Sequence, residues 1–157
     1  MTTRKHLLTT VAAVLAMGGL AFQPAFAADG YGTAETPADI VRPATDVPEA
    51  TGARAPEAVR IKLETVELVG RLDNGSSYNY WTFNGKVPGP FVRVRVGDTV
   101  EVSLENHDGN MFMHNVDFHA ATGLHGGGSA TLAAPGEQKG FTFKALKPGL
   151  YVYHCAV

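Results

Sequence analysis

The sequence predicts an all-β protein with the architecture of a Greek-key β-sandwich. Glycine and proline are frequent, at 18 and 9 of 157 residues, and they divide the chain into short segments at turn-forming positions. Several segments alternate apolar and polar residues as half-buried strands do, and none has a sustained helical period. The hydrophobic content of 45% suffices for one core. Short strands with frequent turns are typical of a β-sandwich.

Six segments have the composition or alternation of strands. In chain order they are residues 59–63, 78–83, 91–96, 99–104, 138–143 and 150–153. Turn-forming residues separate them at positions 73–77, 84–85, 88–90, 97–98 and 148–149. We therefore expect six short strands and no long helix between residues 59 and 153.

The first 27 residues have the features of a cleavable signal peptide. Arg4 and Lys5 form a basic start, an apolar run follows over residues 7–22, and Ala25-Phe26-Ala27 supplies a small-x-small cleavage pattern. A permanent membrane anchor is the alternative, although two threonines and two glycines within the apolar run weaken it. The sequence therefore predicts export to the periplasm.

The exported chain is expected to contain one folded domain. Residues 28–55 are rich in Ala, Pro, Thr, Asp and Glu, which predicts a flexible N-terminal arm. Residues 56–157 carry the strand pattern and form the predicted domain. The formal net charge of −2 indicates neither a nucleic acid partner nor a basic membrane-binding surface.

The only cysteine, Cys155, is either a small buried hydrophobic residue or a metal-binding thiolate. It follows the predicted strand at residues 150–153, and a second segment with candidate ligands spans residues 114–119. We suppose that both segments lie on regular strands. Alternate side chains of a strand point to opposite faces. If the two strands pair, Cys155 meets His114 on an apolar face beside Val116 and Phe118. A thiolate and an imidazole in an apolar shell are half of a His₂Cys electron-transfer copper site.

The opposite face of the same two strands collects a different set of side chains. His154 precedes Cys155 and must point away from it, towards His119 and Asp117. Two imidazoles near a carboxylate suit a catalytic metal with an open position, with the carboxylate donating or relaying protons. The peptide bond between His154 and Cys155 would then join the two sites covalently.

Other residues with possible metal chemistry have simpler interpretations. His107 lies in a turn and is expected to be solvated, and His125 lies on a glycine-rich loop that is expected to be mobile. Met111 and Met113 are expected to pack among apolar residues and not to serve as axial ligands. Trp81 is interpreted as a core aromatic residue.

Several longer motifs resemble a known family. Residues 84–90, Asn-Gly-Lys-Val-Pro-Gly-Pro, and residues 96–100, Val-Gly-Asp-Thr-Val, look like the opening of cupredoxin domains in the multicopper oxidase superfamily. Residues 114–123, 134–137 and 148–155 are similar to copper-containing nitrite reductases specifically. The resemblance extends over about residues 60–157 and implies a cupredoxin-like sandwich.

The resemblance implies a role for each residue of the two clusters. His114 and Cys155 match ligands of the type 1 copper, and His119 and His154 match ligands of the type 2 copper. Asp117 matches the acid that hydrogen-bonds nitrite or water and helps to deliver protons. An electron from a small cupredoxin or a c-type cytochrome would enter at type 1, pass through the Cys-His link, and reduce nitrite to nitric oxide at type 2.

The sequence departs from the family pattern after Cys155. The family's second type 1 histidine, its axial methionine and its second cupredoxin domain have no counterpart in residues 1–157. The resemblance also implies a homotrimer in which a neighbouring subunit completes the type 2 site. We therefore expect a truncated first domain, with an incomplete sandwich, weak copper binding and no turnover by itself.

Two other functions remain open from the sequence. A laccase-like multicopper oxidase would carry a His-Cys-His motif, whereas Ala156 follows Cys155 here. A single-domain blue-copper electron carrier would need His114 and Cys155 but would have no use for the residues on the opposite face.

Overall fold

The structure, a computed structural model, describes residues 38–157, and within them six strands and one short helix are present. The strands are β1 (Ala58–Arg71), β2 (Ser77–Phe83), β3 (Thr99–Asn106), β4 (Asp117–Phe118), β5 (Gln138–Lys144) and β6 (Tyr153–His154). The helix is a 3₁₀ turn at Leu124–Gly127. The predicted all-β fold is confirmed.

The strands form two ladders. Four of them make a sheet in the order β2-β1-β3-β5. In this sheet β1 pairs antiparallel with β2, with Glu67 opposite Trp81, and parallel with β3, with Ala58 opposite Thr99. β4 and β6 form a separate antiparallel ladder that carries the predicted ligand His154 and the predicted acid Asp117.

The core forms where the apolar faces of these strands meet. Alternate residues of β1 and β3 are buried, as the period of two in the sequence requires. Burying each large apolar side chain stabilises the fold by about 1.5–3 kcal/mol. The buried cluster consists of Ile61, Leu63, Val100, Val102, Leu104, Val116, Phe118 and Ala145. Two members, Val116 and Phe118, belong to the ligand-bearing segment and attach it to the sheet.

Two predicted strands are corrected by the structure. Residues 91–96 form no ladder with any described strand, although Val92 and Val94 pack against the core. Alternating apolar residues indicate that one face of a segment is buried. They do not show that the segment has a hydrogen-bonded neighbouring strand. Of residues 150–153 only Tyr153 is in a strand, because β6 pairs only with the two residues of β4.

The aromatic and methionine residues near His114 are more exposed than expected. Trp81 is 47% exposed and Met111 is 69% exposed, and Met113 is exposed as well. Trp81 lies on β2, at the edge of the sheet, where its ring covers Phe112 and His114 at centroid distances of 5.3 and 4.9 Å. The predictions of a core tryptophan and of packed methionines were therefore wrong.

The described part of the predicted N-terminal arm is attached to the domain. The predicted signal peptide, residues 1–27, lies outside the described residues. Ala38 donates a backbone hydrogen bond to Val69, Ile40 is buried, and Ile40 accepts a hydrogen bond from Val87. Residues 38–42 therefore pack against the sheet and are not a flexible part of the predicted arm. Within the part of the chain that the structure describes, no helix has the length and apolar character to span a bilayer.

A buried ion pair fixes the turn that leads into β3. The side chain of Asp98 is fully buried and accepts two hydrogen bonds of 2.7 Å from the guanidinium of Arg54. The backbone amides of Glu57 and Arg95 donate to the same carboxylate. The hydrogen bonds from Arg54 are the main cause that lowers the pKa of Asp98, because they favour the charged form.

We expect Asp98→Asn to flatten the acid dependence of stability. The pKa of Asp98 is lowered in the folded state from 3.8, so the charged carboxylate stabilises the fold above about pH 4. That contribution is lost as the pH falls below about 4. Melting temperatures followed by circular dichroism should therefore be lower for the variant at neutral pH, and should fall less on acidification. Asp73→Asn, in an exposed turn, is the control, and parallel curves for Asp98→Asn and the unsubstituted protein would contradict the assignment.

Candidate metal centres

The pairing of β4 with β6 brings the two predicted ligand segments together. Asp117 lies opposite His154, and the backbone amide of His119 donates a 3.0 Å hydrogen bond to Val152. Behind this ladder the ring of Tyr153 stacks on Phe118 at a centroid distance of 5.0 Å. Burial raises the pKa of Tyr153 to about 12. Its hydroxyl donates a 2.6 Å hydrogen bond to the backbone carbonyl of Pro90.

His114 and Cys155 meet on the inner side of these segments. The Sγ atom of Cys155 lies 3.7 Å from Nδ1 of His114. The His114 residue is 1% exposed and bonds through its backbone to Ala133 in both directions. Asn115 accepts a 2.7 Å hydrogen bond from the backbone amide of Ala156, which ties the cysteine segment to the histidine segment. The alternation of side chains predicted this meeting, and the role of the pair as ligands stays a prediction.

The orientation of His114 is fixed by a residue that the sequence did not single out. Its Nε2 lies 2.9 Å from Oε1 of Glu67, whose side chain is 6% exposed. A carboxylate only accepts hydrogen bonds, so the Nε2–H of His114 donates this hydrogen bond to Glu67. In the tautomer that this contact selects, the lone pair is on Nδ1, the nitrogen that faces Cys155. No local pattern around Glu67 could have identified it, because 47 positions separate it from His114.

Asp117, His119 and His154 meet on the outer side, as predicted. One ligand atom from each lies within 4.8 Å of the others, and this is the only such group of three or more histidines, cysteines or carboxylates among residues 38–157. The Nε2 atoms of the two histidines are 3.0 Å apart. Nδ1 of His154 donates a 2.9 Å hydrogen bond to the carbonyl of Cys155, which leaves its Nε2 free for a metal.

The outer cluster opens to solvent beside the glycine-rich segment. Both histidines are exposed, and the depression that contains Asp117 and His119 is also lined by His125. Gly126 has a positive φ of 56°, and a Cβ on it would collide with Oδ1 of Asp117. Glycine therefore allows the backbone to approach the carboxylate closely. His125 lies in the 3₁₀ turn at φ 51°, whereas His107 is exposed in its own turn, as expected.

Both clusters have donor spacings that fit a metal ion. Imidazole nitrogens bind at about 2.0–2.1 Å and thiolates at about 2.3 Å in protein zinc sites, and we take similar values for other first-row metals. For angles of about 90–120° at the metal, two nitrogens on one ion are then about 2.8–3.6 Å apart, and a nitrogen and a sulfur about 3.0–3.8 Å apart. The observed distances are 3.0 Å for the histidine pair and 3.7 Å for His114 and Cys155. The donor types also match, since thiolate and imidazole suit copper.

Comparison with known sequences identifies the same family as the motifs. A sequence model described as multicopper oxidase matches residues 66–157. The copper-containing nitrite reductase of Neisseria meningitidis serogroup A is 56% identical over 114 residues, which are 73% of this chain and 30% of that protein. A copper-containing nitrite reductase of Rhizobium sullae is 46% identical over 102 residues, covering 64% of this chain and 27% of that protein. The chain thus spans under a third of the length of these curated relatives.

A solved structure is similar over the same region. The copper nitrite reductase of Nitrosomonas europaea superposes with a TM-score of 0.57 and 42% identity, over 64% of this chain and 35% of that chain. The resemblance to copper-containing nitrite reductases that the sequence motifs indicated is therefore confirmed.

Proposed function

The chain belongs to the multicopper oxidase family, and from this membership we propose that it supplies part of both copper sites of a nitrite reductase that forms nitric oxide. The observation that carries the proposal is the division of adjacent residues between two clusters. Cys155 faces His114 on the inner side, while His154 faces His119 and Asp117 on the outer side. The similarity to nitrite reductases supports the same substrate.

The inner cluster is assigned to type 1 copper. His114 and Cys155 provide the nitrogen and sulfur donors of an electron-transfer site, and Asn115 holds their segments together. Such a site also needs a second imidazole and a weak axial donor. Among residues 38–157 no third histidine, cysteine or carboxylate groups with this pair. We therefore assign the missing donors to residues outside the described part of the chain.

The outer cluster is assigned to type 2 copper. When bound, copper there supplies the redox chemistry that converts nitrite, with one electron and two protons, to nitric oxide and water. His119 and His154 hold the ion, and the exposed side of the cluster leaves room for nitrite and for a further histidine from a neighbouring subunit of a homotrimer. Asp117, on the same face, hydrogen-bonds the substrate and passes protons to its oxygen.

The link between the clusters favours an enzyme over an electron carrier. A carrier needs only the inner cluster, and the group of Asp117, His119 and His154 would then have no purpose. The peptide bond between Cys155 and His154 provides a direct covalent path for an electron, and the His154 side chain is further tied to the Cys155 carbonyl. We propose that the electron arrives from a small cupredoxin or a c-type cytochrome in the periplasm, after export directed by residues 1–27.

The test is nitrite reduction by the copper-loaded, full-length gene product that carries this sequence. With a chemically reduced dye as donor, we expect nitric oxide to form from nitrite. Asp117→Asn should keep the visible absorption of the inner site and lower turnover by about 100-fold or more, because general acid catalysis contributes about 10²–10⁴-fold.

Asp108→Asn is the matched control, since Asp108 is an exposed carboxylate in a turn and belongs to neither cluster, and it should leave turnover unchanged. Unchanged turnover in Asp117→Asn would remove Asp117 from the proton path. Failure of the unsubstituted, copper-loaded protein to form nitric oxide would contradict the proposed function itself.

A further inference from the structure

We propose that Glu67 is a positioning residue for the inner metal site, because it fixes both the orientation and the tautomer of His114. The inference rests on the assignment of His114 and Cys155 as metal ligands. It adds a carboxylate on β1 that none of the ligand motifs contains. The observation behind it is the 2.9 Å hydrogen bond from Nε2 of His114 to a nearly buried carboxylate oxygen.

The carboxylate of Glu67 bonds both the ring of His114 and the backbone that leads to it. Its Oε1 atom accepts a 2.9 Å hydrogen bond from the backbone amide of Phe112 and one of 3.2 Å from that of Met111. The same oxygen accepts from the imidazole of His114. One atom thus bonds both the ring and the backbone two and three residues before it. Glu67, which lies on β1, therefore sets the position of the His114 ring relative to the backbone that precedes it.

Glu67 is itself held in place. Its backbone amide donates a 2.8 Å hydrogen bond to the side chain of Asn110. Asn110 is buried and bonds in turn to the carbonyl of Thr65 and to the side chain of Asn106. This network ties the backbone of Glu67 on β1 to Asn106 on β3. The carboxylate is held by the amides of Met111 and Phe112, and an acceptor held in this way orients its donor more strictly than a solvated one.

Trp81 supplies the second constraint on the His114 ring. It lies opposite Glu67 in the β1–β2 register, and its ring meets the imidazole edge-to-face, with an interplanar angle of 76°. Trp81 therefore restricts rotation of the ring, and Glu67 determines which nitrogen carries the proton. The combined result is a lone pair on Nδ1, 3.7 Å from the sulfur of Cys155.

The carboxylate of Glu67 therefore fixes the orientation and the tautomer of His114 before a metal binds. Carboxylate partners of metal-bound histidines commonly contribute about 10–100-fold in metal affinity by fixing the ring and its tautomer. Without Glu67 the imidazole loses its acceptor at Nε2, and the tautomer with the proton on Nδ1 becomes accessible. That tautomer presents a hydrogen atom to Cys155, where the metal needs a lone pair.

The experiment compares Glu67→Ala, Glu67→Gln and the control Glu105→Ala, which removes an exposed carboxylate from β3. In the full-length gene product, Cu²⁺ affinity is measured by titrating the visible copper–thiolate absorption. We expect Glu67→Ala to weaken binding about 10–100-fold. Glu67→Gln should recover part of the affinity, because the amide oxygen still accepts from Nε2. Equal affinities for Glu67→Ala and Glu105→Ala would overturn the proposal.

A second readout needs no copper and separates this inference from the proposed function. Nitrogen NMR of the metal-free protein reports which ring nitrogen of His114 carries the proton. We expect the Nε2–H tautomer in the unsubstituted protein and in Glu105→Ala, and a mixture in Glu67→Ala. A tautomer that does not change in Glu67→Ala overturns the positioning role even if copper binds as proposed. The protein could show this tautomer dependence and still never develop the copper–thiolate absorption. That result would contradict the assignment of copper to the inner site and would support the role of Glu67 in orienting His114.

Discussion

Replacing Cys155 with serine is expected to abolish the intense visible absorption of the copper-loaded protein while copper remains at the outer cluster. The absorption of a type 1 site arises from the copper–thiolate bond, and Cys155 is the only thiol of the chain. A serine hydroxyl is a poor ligand for copper at neutral pH because it does not ionise readily. Nitrite turnover should fall to background, since the outer site then has no route for electrons. The measurement combines visible absorption spectra, electron paramagnetic resonance spectra and an assay of nitric oxide formation.

Ala156→Ser is the matched control for this variant. It introduces the same hydroxyl one residue further along, and the backbone amide of residue 156 can still donate to Asn115. The control should keep the colour and the turnover. If Cys155→Ser keeps the colour, Cys155 is not a copper ligand, and the division of residues 154 and 155 between two sites is wrong.

The complementary variant, His119→Ala, is expected to empty the outer site and leave the inner site coloured. The Nε2 atoms of His119 and His154 are 3.0 Å apart, and removal of His119 leaves His154 as the only imidazole that this cluster supplies. Together with the further histidine proposed from a neighbouring subunit, the site then has two imidazoles instead of three and holds a divalent ion far more weakly. Turnover should fall to background even with a reduced inner site. Copper analysis and paramagnetic resonance should show that only the outer copper is lost.

His107→Ala controls for the loss of an imidazole, because His107 is an exposed residue in a turn. It should change neither copper content nor turnover. The opposite orientation of neighbouring side chains predicts that the two clusters are independent. Loss of the visible absorption in His119→Ala would contradict this prediction.

The two clusters could be predicted from sequence because, if the two segments pair, local alternation alone sorts their side chains. His114 and His119 are five residues apart and therefore lie on opposite faces, and the same holds for the neighbours His154 and Cys155. Once the segments pair, the partners of each side chain follow. The β4–β6 ladder provides that pairing, with Asp117 opposite His154.

Glu67 could not be predicted in the same way. Its contact with His114 depends on the lateral position of β1 beside the loop that precedes His114, and that position is a property of the sheet and not of either segment. Trp81 was misassigned for a related reason. Aromatic composition predicted the strand correctly, but it did not indicate that β2 is the edge of the sheet, where large rings remain partly exposed.

The predicted strand at residues 91–96 shows a further limit of periodicity. Val92 and Val94 do face the core, so the alternation was read correctly as a buried face. A strand also requires a neighbour at hydrogen-bonding distance, and the sequence of one segment contains no information about its neighbours.

The parallel pairing of β1 with β3 has a consequence for the order in which the protein folds. The hairpin of β1 and β2 closes over a short turn, whereas partners in the β1–β3 ladder, such as Arg60 and Glu101, are 41 residues apart. Closing such a long loop costs entropy before its contacts form, so this ladder is a slow step of folding. None of the proposed copper ligands belongs to the four-stranded sheet. Pairing of the four-stranded sheet therefore requires no metal ligand, and the ligands come together only when β4 pairs with β6.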